Sequence, residues 1–247
     1  MRIAAVVLTK NEARHIADCL ATLAWADERV VFDSFSDDAT VDIARASGAR
    51  VIQHAFRGYA SQRNAALEQV AADWIFFVDA DERATPELGA EIRQVVRRPE
   101  VGWWVPRKNI IWGRWIRHAG WSPDYQMRLL KRGFARYDPA REVHEVGLLD
   151  GAEGFLQNPL THYNYDTVRQ FLQKQGRYTE YEARILLESG VVPRARGLVG
   201  QPLREFWRRF VQLQGYRDGG HGLLLSTLMA YYAFRRVQMA RRIARGR

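Results

Sequence analysis

Two aspartates one residue apart are the strongest candidates for chemistry in this chain. Asp79 and Asp81 follow directly on the apolar run 74–78 (WIFFV). Such a run is typical of a strand buried on both faces of a parallel sheet, and ligands bind at the carboxyl ends of these strands. Neighbouring carboxylates repel unless a cation lies beside them, and carboxylates together with substrate phosphates are usual ligands of Mg²⁺ or Mn²⁺. The pattern therefore predicts a metal and diphosphate site.

The same acidic residues also have a purely structural explanation. Thr85 and Pro86 are well suited to be the N-cap and the first residue of a helix. The acidic residues would then only lead from a strand into that helix.

Polar residues also follow two other predicted strands. Residues 9–12 (TKNE) come after the strand 3–8, and Asp33 ends the strand 29–33. Because the ends of parallel strands meet at one edge of a sheet, we expect these residues to lie near Asp79. A carboxylate there can accept the imino hydrogen of uracil or bind ribose hydroxyls. The alternative is a polar loop whose Asp38 caps the next helix.

A predicted helix start carries a candidate phosphate ligand. Residues 58–64 (GYASQRN) open a helix with Arg63 in its first two turns. A helix N-terminus and a guanidinium both suit a phosphate oxygen. The motif alone is not specific.

The elements that must position these residues alternate between strand and helix over the first hundred residues. This pattern predicts an α/β fold with a mostly parallel sheet, right-handed crossovers and helices on both faces. The predicted strands are 3–8, 29–33, 50–53 and 74–78, and the predicted helices run from a cap at Asn11 and Glu12 to Leu23, then over 40–47, 59–71 and 87–97.

The pattern changes after residue 100. Two further strands, 101–111 and 125–130, flank a loop rich in tryptophan at 112–122, and five of the eight tryptophans lie between Trp103 and Trp121. The loop tryptophans could stack on sugar rings, sit at a membrane interface or belong to an ordinary core. From Asp166, the predicted cap of a helix ending near Glu188, the chain is helical in character.

Composition limits the class of protein. Cys19 is the single cysteine, so neither an internal disulfide nor a cysteine-based metal site is available, which favours a reducing compartment. We expect no signal peptide, and the apolar stretch 223–234 is shorter than the roughly 20 residues needed to cross a bilayer.

Positive charge is concentrated at the C-terminus. The net charge is +9, and residues 201–247 hold ten arginines and two acidic residues. Arginines beside apolar residues such as Leu223 and Tyr231 suggest a helix lying on an anionic membrane surface. The alternative is a docked helix with solvated arginines. Nucleic acid is disfavoured because the rest of the chain is nearly neutral.

Together these motifs resemble the family 2 glycosyltransferases with the GT-A fold, and most closely the bacterial lipopolysaccharide inner-core β-glucosyltransferases. The resemblance is specific over residues 1–165 and looser over 163–181, and Phe35 stands where many relatives have glycine. The matching segments are 9–13 (TKNEA), 25–28 (WADE), 33–40 (DSFSDDAT), 58–64 (GYASQRN) and 79–82 (DADE).

The resemblance implies roles for the residues already identified. It implies a uridine-linked donor sugar held by side chains at the strand ends and a divalent metal, Mg²⁺ or Mn²⁺, held by Asp81 and Asp79. The implied binding residues are Thr9, Asn11, Glu12 and Asp33 for uracil and ribose, Arg63 for the diphosphate, and Asp79 for the ribose or donor sugar.

An inverting transferase also needs a carboxylate that deprotonates the acceptor hydroxyl. The resemblance implies Glu145, in the run 141–145 (REVHE), and alternation along an extended segment makes Glu142 the second candidate. Asp124 and Trp121 are candidates for binding the acceptor. His144 or His162 could orient the base or complete the metal shell.

We therefore predict a GT-A domain over 1–165, with a nucleotide-binding half (1–100) and an acceptor half (101–165), followed by a basic helical region over 166–247. The predicted activity is metal-dependent, inverting transfer of a sugar, glucose in the first instance, from a UDP-sugar to a lipid-linked or lipopolysaccharide-core acceptor. The predicted location is the inner face of the cytoplasmic membrane. The alternatives are a non-catalytic binding module for membranes or polyanions and a sugar-phosphate nucleotidyltransferase, which the lack of glycine in residues 9–12 disfavours.

Overall fold

The computed structural model describes residues 1–138, 147–191 and 193–245. The chain forms two compact units. The first comprises Met1–Arg107 and Asp124–His162, and the second comprises Lys108–Pro123 and Tyr163–Arg247. The tryptophan-rich loop, residues 112–122, belongs to the second unit.

The described elements follow the predicted alternation through residue 95. They are β1 (Ile3–Thr9), α1 (Ile16–Ala21), β2 (Glu28–Asp33), α2 (Thr40–Ala46), β3 (Arg50–Gln53), α3 (Tyr59–Gln69), β4 (Trp74–Asp79), β5 (Glu82–Ala84) and α4 (Pro86–Val95). Short strands then predominate: β6 (Gly102–Ile111), β7 (Arg114–Trp115), β8 (Tyr125–Lys131), β9 (Ala135–Tyr137), β10 (Gly147–Leu149), β11 (Glu153–Phe155) and β12 (Leu160–Tyr165). The C-terminal helices are α5 (Val168–Glu188), α6 (Gly197–Trp207) with a π-helical extension (Arg208–Gln212), a 3₁₀ turn (Gly215–Asp218) and α7 (Gly219–Arg245).

The main sheet has the strand order β3-β2-β1-β4-β8-β6-β12-β5. Its first four strands are parallel, and β8 then pairs antiparallel with both β4 and β6. Thr9 lies opposite Asp33, and Leu8 lies opposite Asp79, so the three strand ends share one edge. This arrangement confirms the predicted α/β fold and the predicted convergence.

Alternate residues of the strands enter two different cores. Trp74 and Phe76 of β4 pack in one cluster with Leu20 of α1, while Ile75 and Phe77 pack in the other with residues of α3. The strands are therefore buried on both faces, as their continuous apolar runs predicted.

Two predicted helix caps were wrong. We predicted that Asn11 and Glu12 start the first helix, but Asn11 has a φ of 58° and its side chain accepts from the backbone N–H of Asp37, so α1 begins only at Ile16. Thr167 rather than Asp166 caps α5, accepting a hydrogen bond from the backbone N–H of Gln170.

The second unit has its own aromatic core. Phe171, Tyr165 and Leu225 are buried together, and Trp112 and Trp121 pack against them. These two tryptophans therefore fit the core alternative. Within the part of the chain that the structure describes, no helix is long and apolar enough to cross a membrane.

Candidate active site

The loops after β1 and β2 are joined through Asp33. This side chain is fully buried, and its oxygens accept from the hydroxyl of Thr9 at 3.0 Å and from the backbone N–H of Ser36 at 2.8 Å. The hydroxyl of Ser36 and the amide of Gln53 also donate to it. Asp33 therefore orders both loops. A nucleobase that bonds to this carboxylate must displace one of the four hydrogen-bond donors that already contact it.

Further hydrogen bonds join the two loops along their length. The backbone N–H of Asn11 donates to the Ser36 hydroxyl at 2.9 Å, and the N–H of Glu12 donates to the Thr40 hydroxyl at 2.7 Å. The side chain of Lys10 donates to the backbone carbonyl of Phe35. Phe35 itself has a φ of 58° and is 54% exposed. Three of the predicted nucleotide ligands, Thr9, Asn11 and Glu12, thus belong to one ordered pair of loops.

Asp79 lies against a buried arginine that sequence reasoning missed. Arg128 of β8 is 3% exposed, and its two terminal nitrogens bond to the two carboxylate oxygens of Asp79. Arg63 contributes a second positive charge, with a nitrogen 3.8 Å from Asp79 Oδ1. Burial opposes ionisation of Asp79, but the charges of Arg128 and Arg63 outweigh it and hold the pKa of this carboxyl well below its ordinary value. Two guanidinium groups therefore supply positive charge beside Asp79.

A second buried carboxylate continues this network. Glu82 is fully buried and accepts from Arg128 at 2.8 Å and from the backbone N–H of Asp79 at 2.9 Å. Arg107 lies 3.6 Å from Glu82 and donates its Nε to Asp124 at 2.9 Å. Asp124, predicted to bind the acceptor substrate, is therefore connected through Arg107, Glu82 and Arg128 to Asp79, predicted to bind the donor sugar.

Asp81 has different surroundings from Asp79. It lies in the turn between β4 and β5, and its Oδ2 is 3.5 Å from Nε2 of His162. The antiparallel pairing of β12 with β5 sets His162 opposite Glu82, next to Asp81. Of the two predicted metal ligands, Asp81 is the one that lies beside a histidine, a side chain that can also bind a metal.

The Asp81–His162 pair fits a divalent metal that shares its ligands with a substrate. Among the described residues, no group of three or more His, Cys, Asp or Glu side chains is arranged to hold a metal. Mg²⁺ is typically bound through one or two protein ligands, with substrate phosphates and waters in the other positions. One carboxylate and one imidazole are therefore enough only if a diphosphate supplies further oxygens.

Two amides of α3 also order the site. Gln62 is buried and donates to the hydroxyl of Ser34 at 3.0 Å. The side chain of Asn64 bonds to both backbone groups of Tyr137, at 2.8 Å each. The ring of Tyr137 lies 5.7 Å from the guanidinium of Arg63. By holding Tyr137, Asn64 helps to fix the surroundings of Arg63, the residue predicted to bind the diphosphate.

The remaining predicted residues are Trp121 and Glu145. Trp121 belongs to the second unit, where its ring contacts Tyr165 edge-on and its carbonyl accepts from Asn109. Glu145, the predicted base, lies outside the described residues, as do Glu142 and His144. Their roles stay predictions.

The motif at residues 25–28 is structural. Asp27 accepts from the backbone N–H of Ile3 at 2.8 Å and pairs with Arg93 at 2.8 Å, and the hydrogen bond from Arg93 lowers the pKa of Asp27. Glu28 pairs with Arg2 and Arg50. These contacts fix the start of β1 and do not reach the strand ends where the site lies.

Comparison with known proteins agrees with this picture. Residues 4–147 match the family model described as Glycosyl transferase family 2. The chain is 29% identical to the lipopolysaccharide core biosynthesis glycosyltransferase LpsC of Rhizobium meliloti, over 94% of this chain and 89% of that protein. An uncharacterized glycosyltransferase of Rickettsia bellii is 26% identical, over 98% of this chain and 87% of that one.

Solved structures share the fold at low sequence identity. TarS 1–349 from S. aureus, in complex with UDP, is 14% identical with a TM-score of 0.50, covering 98% of this chain and 89% of that one. The mannosyltransferase PcManGT from Pyrobaculum calidifontis, in complex with GDP-Man and Mn²⁺, is 15% identical with a TM-score of 0.50, covering 97% and 73%.

Proposed function

The chain belongs to glycosyltransferase family 2, and on this premise we propose that it transfers glucose from UDP-glucose to a hydroxyl of a lipid-linked lipopolysaccharide-core acceptor, with inversion. The observation that carries the proposal is the grouping of Asp33, Asp79 and Asp81 at one sheet edge, with Arg63 beside Asp79. The likeness to LpsC supports a lipopolysaccharide-core acceptor. Family membership removes the reason for considering a non-catalytic module or a nucleotidyltransferase.

The donor is held from two sides in this proposal. The loops after β1 and β2 receive the uridine, and Arg63 receives a diphosphate oxygen. The paired guanidinium of Arg128 keeps Asp79 ionised, so that its carboxylate can accept hydrogen bonds from ribose or sugar hydroxyls. Asp81, which has none of these roles, is then available to bind the metal.

Asp81 and His162 are the proposed protein ligands of a divalent cation, Mn²⁺ or Mg²⁺. When bound, this ion would neutralise the negative charge that develops on the departing diphosphate. Solved relatives of the same fold bind UDP, or GDP-Man with Mn²⁺, which supports such a site here.

Glu145 is the proposed general base. Its carboxylate would take the proton of the acceptor hydroxyl as that oxygen attacks the anomeric carbon from the face opposite the diphosphate. Asp124, ordered by Arg107 and by the amide of Gln126, is proposed to bind the acceptor.

We also propose that the protein acts as a peripheral protein at the inner face of the cytoplasmic membrane, held there by its basic C-terminal region. Ten arginines between residues 201 and 247 support attraction to anionic lipid. A lipid-linked acceptor would be met at the same surface.

Calorimetric titration with UDP tests the donor proposal. We expect binding in the presence of Mn²⁺ that weakens strongly when Mn²⁺ is chelated. Titrations with GDP and dTDP are the controls that show which nucleobase the site prefers. Tight binding of GDP or dTDP with no binding of UDP would overturn the uridine-linked donor, and no binding of any of the three would overturn the nucleotide-sugar site.

A further inference from the structure

An exposed apolar stripe runs along α6. Val199, Leu203 and Trp207 are spaced four residues apart and are 66%, 65% and 57% exposed. At 3.6 residues per turn this spacing keeps all three on one side of the helix. No residue of α6 is buried, so the stripe adds nothing to the described core.

The opposite side of the same helix is the one attached to the second unit. Residues two positions away point about 200° around the helix, which sets Glu205 and Arg209 across from Leu203 and Trp207. Arg209 bonds to Glu205 and donates to the carbonyl of Ala119 at 2.7 Å. The helix is therefore held by its polar side and presents its apolar side.

The segment that carries the stripe is rich in arginine. Residues 194–212 contain five arginines and one acidic residue, Glu205, which is already paired with Arg208 and Arg209. Arg204 and Arg208, together with Leu203, Phe206, Trp207 and Gln212, line an open depression of about 530 Å³. Cationic groups thus border an apolar hollow.

We propose that the α6 stripe, Val199, Leu203 and Trp207 with Arg204 and Arg208, is the surface that inserts into an anionic phospholipid bilayer. Apolar side chains flanked by arginines match the interface between acyl chains and phosphate headgroups, and a tryptophan is suited to that depth. Charge complementarity favours anionic lipid over a second copy of this chain, whose same surface would bring arginines against arginines.

This surface differs from the one expected from the sequence. The predicted membrane helix contained Leu223 to Phe234, but α7 buries Leu225, Ala233 and Val237 within its own unit. Its remaining exposed apolar residues, Leu223, Leu224 and Tyr231, are 47%, 41% and 46% exposed, each less than any apolar residue of the stripe. The proposal deepens the membrane association proposed above and assigns it to α6.

Vesicle sedimentation of the full chain tests this assignment. Wild-type protein should bind vesicles containing phosphatidylglycerol and bind phosphatidylcholine vesicles at least about tenfold more weakly. Leu203→Ser with Trp207→Ser should lower binding to the anionic vesicles at least about tenfold, because two large apolar side chains are lost from the inserted surface. The matched control is Leu223→Ser with Tyr231→Ser on α7, which should bind like wild type.

Three results would overturn the assignment: no binding of wild type to anionic vesicles, equal loss in both double variants, or a larger loss in the α7 variant. A concentration-dependent rise in mass that the α6 variant abolishes, without vesicle binding, would reassign the stripe to self-association. UDP titration of the same preparations checks folding. It also separates the two proposals, since a protein that binds UDP and ignores vesicles overturns only the membrane surface.

Discussion

Arg128 bonds to both carboxylate oxygens of Asp79, from the neighbouring strand of the sheet. The same guanidinium also donates to the buried Glu82, so one arginine bonds to two acidic side chains. A planar guanidinium can form this forked contact, and lysine cannot. Asp79 is thereby held both ionised and fixed in direction at the end of β4.

Asp79→Asn should change how the stability of the protein depends on pH. The folded pKa of Asp79 lies below its ordinary value of about 3.9, so in wild type the unfolded chain binds a proton first as the pH falls. The contribution of Asp79 is complete above about pH 5 and is lost as the pH falls from there towards the lowered folded pKa. The Asp79 side chain is 37% exposed, so solvent weakens the pair. We expect Asp79→Asn to be less stable than wild type by about 2 kcal/mol at pH 7, with the difference shrinking below about pH 5.

Urea unfolding at a series of pH values measures this difference. Asp42→Asn, on the exposed side of α2, is the matched control and should follow wild type throughout. A wild-type minus Asp79→Asn difference that stays constant between pH 7 and pH 3.5 would contradict the ionised pair.

Asp81→Ala should remove the metal dependence of UDP binding. If Asp81 and His162 share a Mn²⁺ ion with the diphosphate, loss of the carboxylate leaves one protein ligand. We expect titration of Asp81→Ala with UDP to give the same weak affinity with and without Mn²⁺. His162→Ala should weaken Mn²⁺-dependent binding at least about tenfold.

Asp18→Ala provides a matched control, because Asp18 is an exposed carboxylate on α1 that pairs with Arg83. It should bind UDP and Mn²⁺ like wild type. If Asp81→Ala keeps its full response to Mn²⁺, Asp81 is not a metal ligand.

The strand ends could be predicted from the sequence because their signal is local. The apolar runs before Thr9, Asp33 and Asp79 fix where each strand ends, and parallel pairing then brings the ends together. The predicted Thr85 cap of α4 is confirmed for the same reason, since its hydroxyl accepts from the N–H of Leu88 three residues on.

The ionic network could not be predicted because its partners are distant in sequence. Arg128 lies 49 residues from Asp79, and antiparallel pairing of β8 with β4 joins them. One signal was available: Arg128 interrupts the apolar strand residues Met127 and Leu129. A charge at such a position needs a buried partner, but the sequence does not say which carboxylate supplies it.

Glu145→Gln should reduce turnover by about a hundredfold or more, because glutamine cannot take the proton from the hydroxyl of the acceptor substrate. The affinity for the donor nucleotide should be unchanged. Turnover is measured as release of UDP from UDP-glucose with a lipopolysaccharide-core acceptor, and affinity by titration with UDP. Glu142→Gln is the matched variant three residues earlier and should retain most activity. An inactive Glu142→Gln beside an active Glu145→Gln would reverse the two assignments.

At position 35, glycine should be more stable than alanine. The φ of 58° at Phe35 is unfavourable for a residue with a Cβ, and its side chain is 54% exposed, so little apolar burial would be lost on removal. The backbone carbonyl that accepts from Lys10 would remain. We expect Phe35→Gly to be more stable than Phe35→Ala by about 1 kcal/mol in urea unfolding.

Alanine is the informative comparison because both variants remove the aromatic ring and differ only in the Cβ. A glycine variant less stable than the alanine variant would contradict the left-handed turn. If the expected order is found and UDP binding weakens equally in both variants, the exposed ring itself contacts the nucleotide. Unchanged UDP binding in both would limit Phe35 to the turn that Asp33 and Ser36 already hold.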